Sequence, residues 1–151
     1  MTHDPEIHSF LLRHMESILA NDLDGYHATT SEELTLYEWW VTPHRLDGIP
    51  SHDYVMLENA RRGAVFGAEG EPPADRDIMR TRFDLANLHI QRYSDTAIAS
   101  YTLLISTTSP SGVQVAAHNE SRVMVKLEGD WKVVHVHKSP AWPAPHIQPA
   151  G

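Results

Sequence analysis

Residues 113–139 read VQVAAHNESRVMVKLEGDWKVVHVHKS, and this stretch decides the fold because it predicts two strands joined by a tight turn. Valines are frequent in both halves, and the Glu128-Gly129 pair between them suits a two-residue hairpin connection. Two further strand-like segments, Arg80–Tyr93 and Thr96–Thr108, precede the hairpin and are also followed by short turn-forming sequences. Connections this short predict an antiparallel meander of four strands.

The first half of the chain has the periodicity of helices. Asp4-Pro5 predicts the start of an amphipathic helix that runs to about Asn21, a short second helix follows, and Ser51–Arg62 predicts a third. A predicted strand, Leu34–Trp40, lies between the second and third helices. Three helices followed by a long curled sheet bury their apolar faces only if the helices fold back onto the sheet. The predicted class is therefore α+β: a cone with about three N-terminal helices packed in the concave face of a curved, mostly antiparallel sheet.

The composition is that of one globular domain. The chain has 151 residues, 41% of them apolar, and we expect a single domain over 1–144 with a flexible tail over 145–151. Residues 63–77 predict a surface loop, because they include several glycines and prolines. The net charge of −8 argues against binding to nucleic acid, and the absence of cysteine excludes disulfides and thiolate metal sites. Without a long apolar run or a secretory signal, we expect a cytoplasmic protein that does not enter membranes.

The turn at Glu128-Gly129 sets the expected register of the last hairpin. Counting outward from it pairs Arg122 with His135 and Glu120 with His137. Because directly opposed residues share a face, these four ionisable side chains are expected to lie together on an otherwise apolar face. Such a face is typical of a small-molecule pocket. The opposite face carries several valines and would suit an oligomer interface.

Several motifs spread along the chain resemble one known family. They are Asn21-Asp-Leu-Asp-Gly-Tyr, Leu34-Thr-Leu-Tyr-Glu, Ser51-His-Asp-Tyr-Val-Met-Leu-Glu-Asn, Asn119-Glu-Ser-Arg-Val and Gly129-Asp-Trp-Lys-Val-Val-His-Val-His-Lys-Ser-Pro-Ala. Together they resemble the association domain of calcium/calmodulin-dependent protein kinase II, within the nuclear-transport-factor-2-like and SnoaL-like superfamily. With no kinase portion and no calmodulin-binding segment among these residues, we expect no calmodulin partner.

The resemblance implies an assembly and a pocket. Domains of this family form dimers and rings, so we expect a homodimer or a higher ring-like oligomer. The family's pocket holds small carboxylates, and by motif position its members here are His52, Glu38, Arg122 and His135. Leu103 and Lys138 stand where the family has arginines, which implies a pocket that is less cationic and more apolar.

Two classes of function follow from this pocket. In the first, a homo-oligomeric domain binds a small anionic or carbonyl-containing molecule, and its ligand-binding residues are His52, Arg122, Glu120, His137 and Leu103. In the second, a small SnoaL-like enzyme works by general acid–base catalysis as a cyclase, isomerase or dehydratase, and its catalytic residues are His135, Glu38 and Tyr101. Carbon dioxide hydration is a variant of the second, because some bacterial and algal carbonic anhydrases resemble association domains and end in a similar histidine-rich motif. We expect no metal and no other cofactor.

The same residues also have structural interpretations. Glu120 and Arg122, two apart on one strand, would form a buried ion pair. His135 and His137 have the spacing of metal ligands on a strand, but a metal site would need a third ligand from His118, Glu120 or His52. Five other histidines are expected to face solvent: His3, His8, His14, His44 and His146.

Overall fold

The computed structural model of the chain describes residues 3–62, 80–145 and 147. The predicted loop over 63–77 lies outside this part, and so does the predicted tail except for residues 145 and 147. The elements are α1 Pro5–Leu19, α2 Leu23–Thr29, β1 Thr30–Tyr37, β2 Leu46–Asp47, α3 Pro50–Arg62, β3 Arg80–Tyr93, β4 Thr96–Ser109, β5 Gly112–Leu127 and β6 Asp130–Pro140.

The helices begin at the predicted signals. The Asp4 carboxylate caps α1 by accepting a hydrogen bond from the Ile7 amide at 3.1 Å, and a proline occupies the first turn. The helix ends before Asn21, which has a φ of 53° and so cannot continue a right-handed helix. α3 begins at Pro50, one residue before its predicted start at Ser51.

The six strands form one sheet in the order β2-β1-β6-β5-β4-β3. The antiparallel meander predicted for the last four strands is confirmed. β1 joins the sheet beside β6 and runs parallel to it, and it occupies Thr30–Tyr37 rather than the predicted Leu34–Trp40. The two-residue strand β2 was not predicted; it pairs with β1 and extends that edge of the sheet.

The core lies between the helices and one face of the sheet, which we call the inner face. Its largest members are the apolar stripe of α1 and the inward residues of β4, including Ile7, Leu11, Met15, Leu103 and Ile105. This arrangement confirms the predicted α+β class, with three helices packed against a mostly antiparallel sheet. Among the helices of the described part, none is both long and apolar enough to cross a bilayer.

The predicted register of the last hairpin is wrong beyond Met124. Met124 pairs with Val133, as counting from the turn requires, but Val123 then pairs with His135. Val134 is therefore an extra residue on β6, which makes a β-bulge. A bulge of one residue moves every later side chain of the strand to the other face.

The bulge changes which residues of β6 reach the inner face. Arg122 lies opposite Val136, and Glu120 lies opposite Lys138. The burial of the β6 side chains agrees with this register, since Val136 is 2% exposed and Lys138 is 4% exposed. The side chains predicted to oppose Arg122 and Glu120 lie on the outer face instead: His135 and His137.

Candidate functional site

A cluster of buried ionisable side chains surrounds Glu120 on the inner face. Arg122 Nη1 donates to Glu120 Oε1 at 2.5 Å and to Tyr101 Oη at 2.9 Å, and Tyr101 Oη donates to the same carboxylate oxygen at 2.7 Å. On the other carboxylate oxygen, His118 Nε2 lies at 2.6 Å and Lys138 Nζ at 3.8 Å. All five side chains are buried. The protein itself thus supplies partners to both oxygens of Glu120.

The charges of this cluster are stabilised by one another. Burial alone would raise the pKa of Glu120, but Arg122, Lys138 and the hydrogen bond from His118 outweigh it and hold that pKa well below its usual range. Burial alone would lower the pKa of Arg122, and Glu120 and Tyr101 outweigh it, so that this pKa is raised. Glu120 is therefore an anion, and His118 Nε2 is the donor in the bond between them.

Lys138 connects this cluster to the end of β1. Its Nζ donates to Glu38 Oε1 at 2.6 Å, and both side chains are buried. Two carboxylates therefore face two cations, Arg122 and Lys138. The cavity left beside Glu120 has a volume of about 10 Å³, which is too small for more than one water molecule. Glu120 and Arg122 thus form the buried ion pair of their structural interpretation.

Two tryptophans cover this cluster at the end of β1. Trp39 and Trp40 form a T-shaped pair with ring centroids 4.5 Å apart, and each ring lies 5.5 Å from the ring of His118. Lys138 Nζ lies 5.2 Å from the centre of the Trp40 ring, which places the cation near the aromatic face. The two indoles separate the ionic cluster from solvent while remaining partly exposed themselves.

A groove of about 610 Å³ lies between α3 and the edge formed by β1 and β2. Two buried polar side chains, Glu38 and His52, contribute to its lining, and residues such as Tyr54 and Val41 form an exposed rim. The other described residues that line it are Leu36, Thr42, Leu46, Pro50, Ser51 and Val55. The groove is thus mainly apolar with a carboxylate and an imidazole in its lining, a composition typical of small-molecule sites.

His52 and His14 are neutral members of the interior. His52 stacks on Tyr26 with ring centroids 4.4 Å apart, and burial, followed by the charge of Lys138, lowers its pKa well below the usual value. His14 was expected to face solvent, and that prediction is wrong. It is 1% exposed, its Nδ1 lies 2.8 Å from Thr29 Oγ1, and burial lowers its pKa as well.

The structure brings together only part of the set predicted from sequence. Tyr101, Glu120 and Arg122 form the cluster, and Leu103 lines the small cavity beside them. The groove contains His52 and Glu38. The predicted histidines of β6 lie apart from both: His135 Nδ1 is 2.7 Å from Thr35 Oγ1, and the ring of His137 is 5.0 Å from that of Tyr37.

Sequence reasoning did not place three buried polar residues in the interior. Lys138 was noted only as a replacement for an arginine, His118 only as a metal-ligand candidate, and His14 as a surface residue. The signal for His14 was available, because it lies on the α1 stripe that also contains Phe10, Leu11 and Ile18. Within the described part of the chain, no three histidine, aspartate or glutamate side chains are grouped so that they could hold a metal ion.

Comparison with known proteins places the chain in a family. The family model described as the calcium/calmodulin dependent protein kinase II association domain matches residues 3–66 and 74–142. The chain belongs to this association-domain family. No curated protein sequence matches it. Membership confirms the predicted resemblance and indicates a homo-oligomeric domain.

Solved structures of association domains share the fold. The association domain of C. elegans CaMKII has a TM-score of 0.70 and 20% identity, covering 89% of this chain and 92% of that chain. The CaMKII hub homology domain of Chlamydamonas reinhardtii has a TM-score of 0.70 and 22% identity, covering 91% and 99%. An NTF2-like protein of unknown function from Pseudomonas putida has a TM-score of 0.66 and 17% identity, covering 93% and 87%. These likenesses support the cone-shaped, nuclear-transport-factor-2-like fold.

Proposed function

We propose that this chain is a homo-oligomeric association domain, spanning residues 1–144, that binds a small molecule in the groove beside α3. The observation that supports binding is the lining of that groove. Its walls are largely apolar, and its two buried polar side chains, Glu38 and His52, would orient a ligand by hydrogen bonding. The cavity beside Glu120 is a poor alternative, because it is very small.

The binding test compares two tryptophan substitutions. Ser51→Trp fills the groove from an exposed position, whereas Tyr93→Trp adds the same side chain at an exposed site outside its described lining. We expect mass spectrometry of protein purified under native conditions to detect a copurified small molecule in the wild type and in Tyr93→Trp. Ser51→Trp should lose it. A copurified molecule that remains fully bound to Ser51→Trp would contradict the groove as its site.

The outer face of the sheet is our candidate for self-association. On β4 and β5 this face includes apolar side chains that remain partly or largely exposed: Ile98, Leu104, Val115, Ala117 and Val123. Val115, for example, is 53% exposed. Ser100, Thr102, Asn119 and Ser121 lie between these apolar side chains on the same face. Exposed apolar side chains with polar residues among them are typical of a protein–protein interface.

Light scattering tests this interface. Val115→Asp places a charge on the outer face and should lower the molar mass of the assembly, whereas Ser9→Asp, at an exposed position of α1, should leave it unchanged. A wild-type protein that is a strict monomer would contradict self-association. An assembly unaffected by Val115→Asp would place the interface elsewhere.

One observation favours a catalytic version of the same site. Glu38, a carboxylate in a mainly apolar groove, lies in the same lining as the neutral imidazole of His52, and such a pair suits proton transfer from a carbonyl compound. The other catalytic candidates lie elsewhere, since Tyr101 is bonded within the buried cluster and His135 is on the outer face. A panel of carbonyl substrates and a carbon dioxide hydration assay should then show turnover that Glu38→Gln abolishes; no turnover on any of them would overturn the catalytic version.

A further inference from the structure

The groove offers a negative group without an available cation. Its ten described lining residues include Glu38 but neither lysine nor arginine. The cation that touches Glu38 is Lys138, which approaches from the buried cluster and is also 3.8 Å from Glu120. Arg45, next to the lining residue Leu46, is held by Asp47 through a contact of 2.7 Å. An anionic ligand would therefore meet a carboxylate and find no unpaired cation among these residues.

The second polar side chain of the lining does not change this balance. Burial lowers the pKa of His52 well below its usual value, and Lys138 contributes to the same effect. The imidazole is therefore neutral near pH 7 and adds no positive charge to the groove. It provides hydrogen bonding and, through its stacking on Tyr26, a rigid surface.

Glu38 retains capacity to accept a further donor. An ionised carboxylate has about four acceptor positions on its two oxygens. From side chains of the described residues, Glu38 accepts one hydrogen bond, at Oε1 from Lys138 Nζ. Glu38 contributes to the lining of the groove, and its Oε2 accepts no hydrogen bond from these side chains. A donor that enters between the apolar walls would reach this oxygen.

We infer that the groove selects an apolar amine, whose protonated amino group donates to Glu38 while its hydrocarbon body contacts the walls around Leu36, Leu46 and Val55. This inference rests on the small-molecule site proposed above and replaces the anion expected from sequence. Three features support it: the carboxylate in the lining, the absence of lysine and arginine from the described lining, and the neutral His52. The net charge of −8 on the chain also favours the approach of a cation.

The test uses three probes with one hydrocarbon body and different charges. They are 2-phenylethylamine, 2-phenylethanol and 3-phenylpropionate, titrated into the full chain by calorimetry at pH 7.5 and one fixed salt concentration. We expect the amine to bind about tenfold more tightly than the carboxylate, which is the ratio that one well-formed charged contact supplies. Equal affinities, or tighter binding of the carboxylate, would overturn the selection of an amine.

Two sets of variants separate this inference from the site itself. Ser51→Trp should weaken all three probes and Tyr93→Trp none; binding that Ser51→Trp leaves intact, or no binding of any probe to the wild type, would overturn the site. The double variant Glu38→Gln with Lys138→Gln removes both charges of the pair together, so that neither is left buried without a counter-charge. It should lose the preference for the amine over 2-phenylethanol and 3-phenylpropionate. A preference for the amine that survives in this variant would overturn the role of Glu38. If the variant does not fold, the relative affinities of the three probes for the wild type still test the selection of an amine.

Discussion

Glu120 and Lys138 are direct partners across β5 and β6, with the ammonium 3.8 Å from the carboxylate. They meet because of the extra residue Val134, since an unbroken ladder would place His137 opposite Glu120. The bulge thus exchanges a histidine for a lysine on the inner face. That cation also reaches Glu38, which links the buried cluster to the lining of the groove.

Glu120→Gln should strongly destabilise the protein. The substitution leaves Arg122 buried without its main counter-charge, and breaking a buried pair in this way costs about 3–5 kcal/mol. Urea unfolding, at a fixed protomer concentration because association contributes to stability, measures this loss. The double variant Glu120→Gln with Arg122→Met should recover much of it. Simple addition of the two single losses would contradict the coupling of these residues.

Tyr101→Phe should cost about 1–3 kcal/mol, because it deletes a hydroxyl that donates to Glu120 and accepts from Arg122 inside the core. The ring itself continues to pack. Tyr93→Phe is a matched control, since its hydroxyl is on an exposed residue and contacts only Gln91 among the described side chains. Equal effects of the two substitutions on the free energy of unfolding would show that the Tyr101 hydroxyl has no structural role.

Adjacent residues of β6 should respond very differently to substitution. Lys138→Met leaves Glu38 and Glu120 buried near each other with one cation fewer, and we expect a loss of about 3 kcal/mol or more. His137→Ala removes an exposed side chain of the outer face and should change the free energy of unfolding by less than about 0.5 kcal/mol. Chemical denaturation of both variants checks the register, because a straight ladder without the bulge predicts the reverse order.

Stability should fall as the pH decreases below about 6.5. The unfolded imidazoles of His14 and His52 bind protons in this range, whereas burial lowers their pKa values in the folded chain. The unfolded state then binds more protons, so the free energy of unfolding decreases with falling pH, by up to about 1.4 kcal/mol per pH unit for each histidine. The lowered pKa of Glu120 extends the loss below the usual range of carboxyl groups.

Urea unfolding at several pH values between 8 and 5 measures this slope. His14→Phe should remove one histidine's contribution, and His44→Asn, at an exposed position, should leave the slope unchanged. A stability that is independent of pH from 7 to 5 would contradict neutral burial of the two rings.

The sequence by itself determined most of the elements and the apolar part of the interior. Helix caps such as Asp4, turn pairs such as Glu128-Gly129 and the alternation along the strands are local signals, and they were enough to predict three helices and an antiparallel meander. The motifs also predicted Arg122, Glu38, His52 and His135 as pocket residues, and the structure buries the first three. A local pattern predicts an element because caps, turns and periodicity act within a few residues of one another.

Only the tertiary structure decided which of these groups meet. A one-residue bulge reverses a whole strand face, and whether it forms depends on what the helices bury against that face. Here the core takes Val136, whose burial is favourable, and Lys138, whose ammonium is paired with Glu38 and Glu120. The two histidine neighbours of Val136 stay on the outer face and are not desolvated there. The same register of β6 brings Lys138 close to Glu120 and Glu38. The carboxylate of Glu38 also contributes to the lining of the groove.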